Sequence, residues 1–266
     1  MKENGFEAIN NPQENFSPNL EEIRAMLHLK DTEEEKKKFQ EWKEKLTVNS
    51  FEKPITIRNI NEIVSVLPTA PNSTGKKIEI FFKKDVDFTD IELQQIFKNF
   101  SASNPEFEIG VTRFKDEILS IDIGNKERSS NNENGEYFGH YHPISNAKNI
   151  QNQEKLPESF LAGLMPSRGD LIGWEKFFKK GQKINRIFSK NGYIEVGVPD
   201  NFAGFSKENL EEFGSKYFDL FYGKNSIGIK TEEEMIDYFN DKFALTIKIH
   251  KFDTNEKKTN ELEGVE

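Results

Sequence analysis

The sequence predicts an α/β protein of the α+β type, a mixed sheet flanked by helices with a helical extension at its N-terminal side. Three observations carry this. Segments of period-two alternation and segments of helical periodicity are interspersed along the chain instead of being sorted into blocks. Two pairs of the strand-like segments are joined by short turns, as in hairpins. Finally, 24 phenylalanines among 266 residues supply ample core material to a chain that is otherwise 31% charged.

In chain order, residues 1–17 are rich in Asn, Glu and Pro and read as a disordered tail. Residues 18–67 read as the helical extension. Within it, DTEEEKKKFQEWKEKL opens on a capping box, Thr32 with Glu35, and sets Glu33–Lys37 and Glu34–Lys38 at the supportive four-residue spacing. Phe39, Trp42 and Leu46 then form a narrow apolar stripe, which docks such a helix on a protein partner or, the commoner case, on its own domain. PTAPNSTGKK, residues 68–77, is the linker. It is no phosphate loop, because Ala70 stands where the first glycine belongs and Lys77 replaces the metal-binding hydroxyl.

The main domain is expected over 76–252. KIEIFF reads as a strand and TDIELQQIFKNF as an amphipathic helix beginning near Thr89. PEFEIGVTRF and EILSIDI alternate as two strands turning at Lys115 and Asp116, and EYFGHYH, after the polar loop NKERSSNNENG, is another strand. GDLIGWEKFFKK is helical, INRIFSKNGYIEVGV is a hairpin turning at Asn191–Gly192, ENLEEFGSKYFDLFYG and TEEEMIDYFNDKF are helices, and ALTIKIHKF is the last strand. Residues 253–266 read as a second disordered tail, and no internal repeat is present.

Composition narrows the function classes. A net charge of −9 speaks against a nucleic-acid binder that works by neutralising phosphates. No window has the length of a transmembrane helix, and MKENGFEAINNPQENF lacks the apolar core of a signal peptide, so no membrane association is expected and a cytoplasmic address is the default, with leaderless secretion open. Zero cysteines remove disulfides and thiolate metal sites.

The chain has four histidines, and GEYFGHYHP holds two of them one residue apart. On a strand, side chains two apart share a face, so His140 and His142 project together and both imidazoles reach one ion. A catalytic zinc commonly takes three protein ligands, and without cysteine the third is another histidine or a carboxylate. His28 and His250 are remote in sequence and read as ordinary residues, which favours a carboxylate. Downstream, LMPSRGDLIGW sets Ser167 three residues before Asp170 at a helix start; alone, that spacing is also a capping box.

With GHYHP followed by PSRGDL, the sequence resembles the JAMM family of zinc metalloproteases, also called MPN+ or JAB, over roughly residues 76–200. The family signature is an upstream glutamate, His-x-His-Pro at a strand end and Pro-Ser-x-x-Asp opening a helix. The resemblance implies a curved, mixed sheet with helices on both sides. It also implies zinc held by His140, His142 and Asp170, a water in the fourth position, Ser167 stabilising the oxyanion, and a glutamate that moves the water's proton to the leaving amine. Such a site hydrolyses peptide or isopeptide bonds of a protein or peptide substrate, ubiquitin-like modifiers among them. For the glutamate, PEFEIGVTRF fits best: Phe107, Ile109 and Val111 would face the core and Glu108 with Gly110 the opposite side. Glu106 shares that face and Glu136 the face of the histidines, so both stay open as the base. Between His142 and Ser167 lie 24 residues, against about seven in the family, so 144–165 is an insertion beside the cleft.

A non-catalytic MPN-like scaffold or interaction module is the second reading. The tripeptide Arg168-Gly169-Asp170 and the sequons at Asn15, Asn72 and Asn99 matter only outside the cell, and Trp174 reads as core.

Overall fold

The computed structural model describes residues 54–67, 78–102, 105, 107–124, 134–143, 163–190, 192–222, 229 and 231–252. Both expected tails, the Thr32–Leu46 helix, the 68–77 linker, most of the 144–165 insertion, Glu106 and His28 lie outside them.

The described residues form one mixed, open sheet of eight strands with five helices. In order they are β1 Ile55–Thr56, α1 Ile60–Val66, β2 Ile78–Lys83, α2 Asp90–Ala102, β3 Ile109–Arg113, β4 Ile118–Ile123, β5 Glu136–Tyr141, α3 Arg168–Lys179, β6 Ile184–Ser189, β7 Gly192–Gly197, α4 Lys207–Tyr222, α5 Glu232–Phe243 and β8 Thr246–Lys251. The strand order is β1-β2-β4-β3-β5-β6-β7-β8. β1 with β2 and β5 with β6 are parallel, and the other pairs are antiparallel. No described helix is long and apolar enough to cross a membrane.

Alternation along the strands sorts side chains to two faces. On one, Ile80, Phe82, Ile109, Val111, Leu119, Ile121, Phe138 and Phe188 meet Ile63 of α1 and Leu93, Ile96 and Phe97 of α2. On the other, Tyr137, Ile187, Ile194, Val196 and Ile247 meet Leu171, Trp174 and Phe177 of α3, Phe213 of α4 and Phe239 of α5. Burying both faces this way removes the large apolar side chains from water at about 1.5–3 kcal/mol each.

The chain joins the sheet earlier than the 76–252 boundary. Ile55 and Thr56 pair with Phe82 and Lys83, and α1, capped by the Asn59 side chain, buries Ile63 and Val66 in the α2-side core. The segment 54–67 thus belongs to the sheet domain. The β3–β4 turn also differs by one residue: the left-handed positions are Asp116 and Glu117, closed by Phe114 N–H donating to the Ile118 carbonyl at 2.8 Å.

Between β3 and β5 the register shifts. Val111 pairs with Gly139 but Thr112 with Tyr137, so Phe138 is the extra residue of a bulge. Beyond it, β5 runs parallel to β6, with His140 opposite Ile187, and α3 makes the crossover between the two strands. The carboxyl end of β5 and the amino end of α3 therefore meet beside the sheet, the usual place for a ligand site in open α/β sheets.

Candidate metal centre

His140 is the penultimate residue of β5 and His142 follows the strand, its N–H bonded to the Phe188 carbonyl of β6 at 2.8 Å. The period of two thus survives past the strand end and both rings turn to the α3 side. Gly139 lets β5 approach β6 closely: a Cβ there would lie 2.7 Å from the Arg186 carbonyl oxygen and 3.0 Å from its Cβ. Tyr137 lies near-parallel to His140 at 6.1 Å between ring centroids, and Trp174 of α3 stands at the same distance.

Asp170 comes from the first turn of α3. Ser167 is its N-cap: the hydroxyl oxygen accepts from Asp170 N–H at 3.1 Å, and Asp170 Oδ2 accepts from Ser167 N–H at 2.6 Å. The capping box and the metal motif are therefore one structure, since the cap sets the rotamer that turns the carboxylate to the histidines. Asp170 Oδ1 lies 3.1 Å from His140 Nε2, Oδ2 lies 3.6 Å from His142 Nε2, and the two Nε2 atoms are 2.8 Å apart. The three residues each offer one ligand atom, all within 4.8 Å of one another. A tetrahedral ion with bonds of about 2.0–2.1 Å needs ligand atoms roughly 3.3 Å apart, a value these separations bracket. Two imidazoles and a carboxylate suit zinc and its first-row neighbours, and the identity of the ion is not fixed by the set.

Electrostatics match the geometry. Burial pushes the His140 imidazolium down, but the Asp170 carboxylate, with Glu108 behind it, outweighs burial and holds it above its usual range. His142 goes the other way, down to about 4, through burial and the neighbouring His140 charge, which outweigh the Asp170 carboxylate and a hydrogen bond to the Gly163 backbone. The Asp170 side chain is only 16% exposed, and burial alone would raise its carboxyl, yet the two histidines and the Ser167 N–H hold it well below the usual range. His142 thus sits neutral, as a ligand must. Its link to Gly163 is the kind of outer hydrogen bond that orients a ligating imidazole, whereas His140 Nδ1 is buried with no hydrogen-bond partner among the described residues.

Glu108 lies just before β3, 7% exposed, with Phe107, Ile109 and Val111 fully buried on the opposite, α2-side face. Gly110 pairs with His140 on one side and Asp122 on the other, so the His140 row continues through a side-chain-free gap to a buried aspartate. Glu136 is not on the histidine face. The bulge at Phe138 gives that face to Tyr137 and leaves Glu136 48% exposed, held by Arg113 at 2.8 and 3.0 Å. It is removed as a base. Ser167 stands beside the three ligands, its oxygen used as an acceptor and its own O–H still available to donate. His250 is half-exposed and stacks on Tyr193 at 4.4 Å, an ordinary surface histidine as the sequence indicates, and Trp174 is core. The roles of Tyr137, Asp122 and the Gly163 backbone escape a sequence reading, because a bulge and a cross-strand register leave no local signature.

No family model, curated protein or solved structure matches the chain.

Proposed function

We propose that this protein is a zinc-dependent hydrolase of peptide or isopeptide bonds, built on a JAMM-like domain. The observation that supports the reading is the convergence of His140, His142 and Asp170, from two motifs separated by 24 residues, on one point at a strand end. These three residues would hold the ion, which when bound supplies a Lewis acid and an acidified water. Glu108 takes the proton of the attacking water and returns it to the leaving amine, so that no net proton is consumed and no acyl-enzyme forms. Ser167 donates its hydroxyl hydrogen to the oxyanion of the tetrahedral intermediate. Gly110, opposite His140, leaves room beside the reacting carbonyl. The substrate is a protein or peptide, and the lysine side-chain amide of a ubiquitin-like conjugate is within this chemistry.

The test is Glu108→Gln in zinc-loaded protein against a panel of quenched peptides and lysine-isopeptide substrates. Hydrolysis should fall by about 10²–10⁴-fold with zinc content unchanged, the worth of a positioned base. Unchanged turnover would remove Glu108 from the reaction. One observation favours a second reading, a non-catalytic MPN-like scaffold: the 3.1 Å contact of His140 Nε2 with Asp170 is also a complete ion pair when His140 is protonated. In that case the wild-type chain retains no zinc and cleaves none of the panel.

A further inference from the structure

At the end of β5 remote from the histidines, about 13 Å along the strand from His140, the described residues leave a cavity of about 530 Å³ between the starts of β5 and β6 and the end of α3. A cleft of this size takes a small organic molecule. The proposed hydrolysis makes no use of it.

The least exposed charged side chain in its lining is Arg186, 9% exposed. It is held on three sides. Nε donates to Glu195 at 3.0 Å, Nη2 reaches Asp90 at 3.3 Å, and the guanidinium lies 4.3 Å from the centre of the Phe138 ring. Nη1 bonds to no described residue and is not shut off from water. A guanidinium fixed in this way, with donors to spare, loses little freedom when it takes an anion.

The carboxylates of the lining are already answered. Asp90 accepts from Arg113 on one oxygen and from Arg186 on the other, while Glu136 Oε2 accepts from Arg113 twice. Lys180 and Lys183 stand exposed at the rim, and the one partner of Lys183, Asp200 at 3.3 Å, is itself fully in water, a pair worth little. What the cavity offers a ligand is therefore cationic, in a chain of net charge −9. Ile184, 38% exposed, adds an apolar wall. The rim is also rigid. α3 ends in a Schellman motif, with Gly181 at φ 97° donating to the Phe178 carbonyl and Gln182 N–H to that of Phe177. The Gln182 amide then accepts from Tyr137 N–H at 3.1 Å and donates to the Tyr137 and Ile184 carbonyls at 2.6 and 2.7 Å.

We propose that this cavity is a binding site for a small organic anion, its carboxylate or phosphate on Arg186 Nη1 with Lys180 and Lys183 at the rim, and its apolar part against Ile184. The assignment is independent of the chemistry proposed for the metal centre.

An amide-resolved NMR titration of the full chain tests it, with 4-methylpentanoate, 3-methylbutyl phosphate and the neutral 4-methylpentanamide as probes. At least one anion should shift the Gly135, Gly181, Lys183 and Ile184 amides saturably, with a dissociation constant of about 1 mM or below, and the neutral probe should bind at least about tenfold more weakly. Saturation by the pentanoate alone identifies a carboxylate ligand, and by the phosphate alone a phosphate. Lys180→Glu combined with Lys183→Glu, both at exposed positions, should weaken the anion at least about tenfold. Arg186→Gln should abolish binding in a chain whose amide spectrum stays dispersed; where that variant does not fold, the lysine pair decides. No saturable shift at these amides with either anion up to about 10 mM would overturn the proposal. So would equal binding of the neutral probe, shifts confined to the region of His142 and Asp170, or unchanged affinity in the lysine variant.

Discussion

Asp170 divides its two oxygens between two tasks: Oδ2 accepts the Ser167 N–H and Oδ1 faces His140. Stability and site geometry are coupled at that residue. Ser167→Ala removes the bond from the Asp170 N–H and should cost about 1 kcal/mol of stability in a urea titration. It should also weaken zinc binding in a chelator competition by roughly 10–100-fold, because a loosened partner misorients the ligand; Ser167→Thr should restore most of both. Gly139→Ala tests the backbone under the histidines. Its methyl would meet the Arg186 carbonyl at 2.7 Å, so destabilisation of about 1–3 kcal/mol is expected by the same titration. At this scale the histidines and Asp170 are legible because their spacing is chemical: same-face histidines on a strand and a carboxylate at a helix start. Glu136 is misplaced by a reading of alternation alone, which counts residues evenly, whereas one bulged residue reverses every face beyond it.

Helices and hairpins are legible where the periodic run is long. The helix from Thr89 begins at Asp90, with Glu92 accepting the Thr89 N–H at 2.9 Å, and β6 and β7 pair as the expected hairpin, although Gly192, expected in the turn, is already in β7 opposite Ser189. β1 is not legible, since two residues show no period, and its pairing with β2 is non-local. The turn at Asp116–Glu117 is offset because left-handed positions are usually marked by Gly or Asn, and neither is present. The same reasoning yields a prediction at the end of α5. Ala244 terminates that helix in the left-handed conformation, φ 54° and ψ 34°, while its N–H still bonds the Asn240 carbonyl. This conformation costs an L-residue about 1–2 kcal/mol, so Ala244→Gly should raise stability by up to about 1 kcal/mol in thermal or urea unfolding. A loss of stability would show that packing around Ala244 outweighs its backbone strain.

Among the described residues, the mixed sheet puts the β5–α3 junction beside α3 and next to the Gly110–Asp122 row, and leaves the His140 side chain 2%, His142 17% and Asp170 16% exposed. That partial burial makes the metal-free protein sensitive to acid. The folded state holds His142 down to about 4, whereas the unfolded chain takes up that proton near 6.5. Its contribution is therefore full above pH 6.5 and lost as pH falls toward 4. His140 acts oppositely: its raised value adds stability in acid that is lost as pH rises through the folded pKa. With a chelator present, the melting temperature of the native chain should fall from pH 6.5 to 4 more steeply than that of His142→Gln; equal slopes would refute the assignment of the loss to His142. Zinc at about 100 times its dissociation constant should add about 2.7 kcal/mol at neutral pH.

The central claim is that His140, His142 and Asp170 hold one metal ion. Elemental mass spectrometry on protein purified without a histidine tag tests it directly, comparing the native chain with His142→Ala and Asp170→Ala. The account predicts about one zinc per native chain and almost none in either variant. A native chain without zinc after reconstitution, or variants that keep it, would contradict the account.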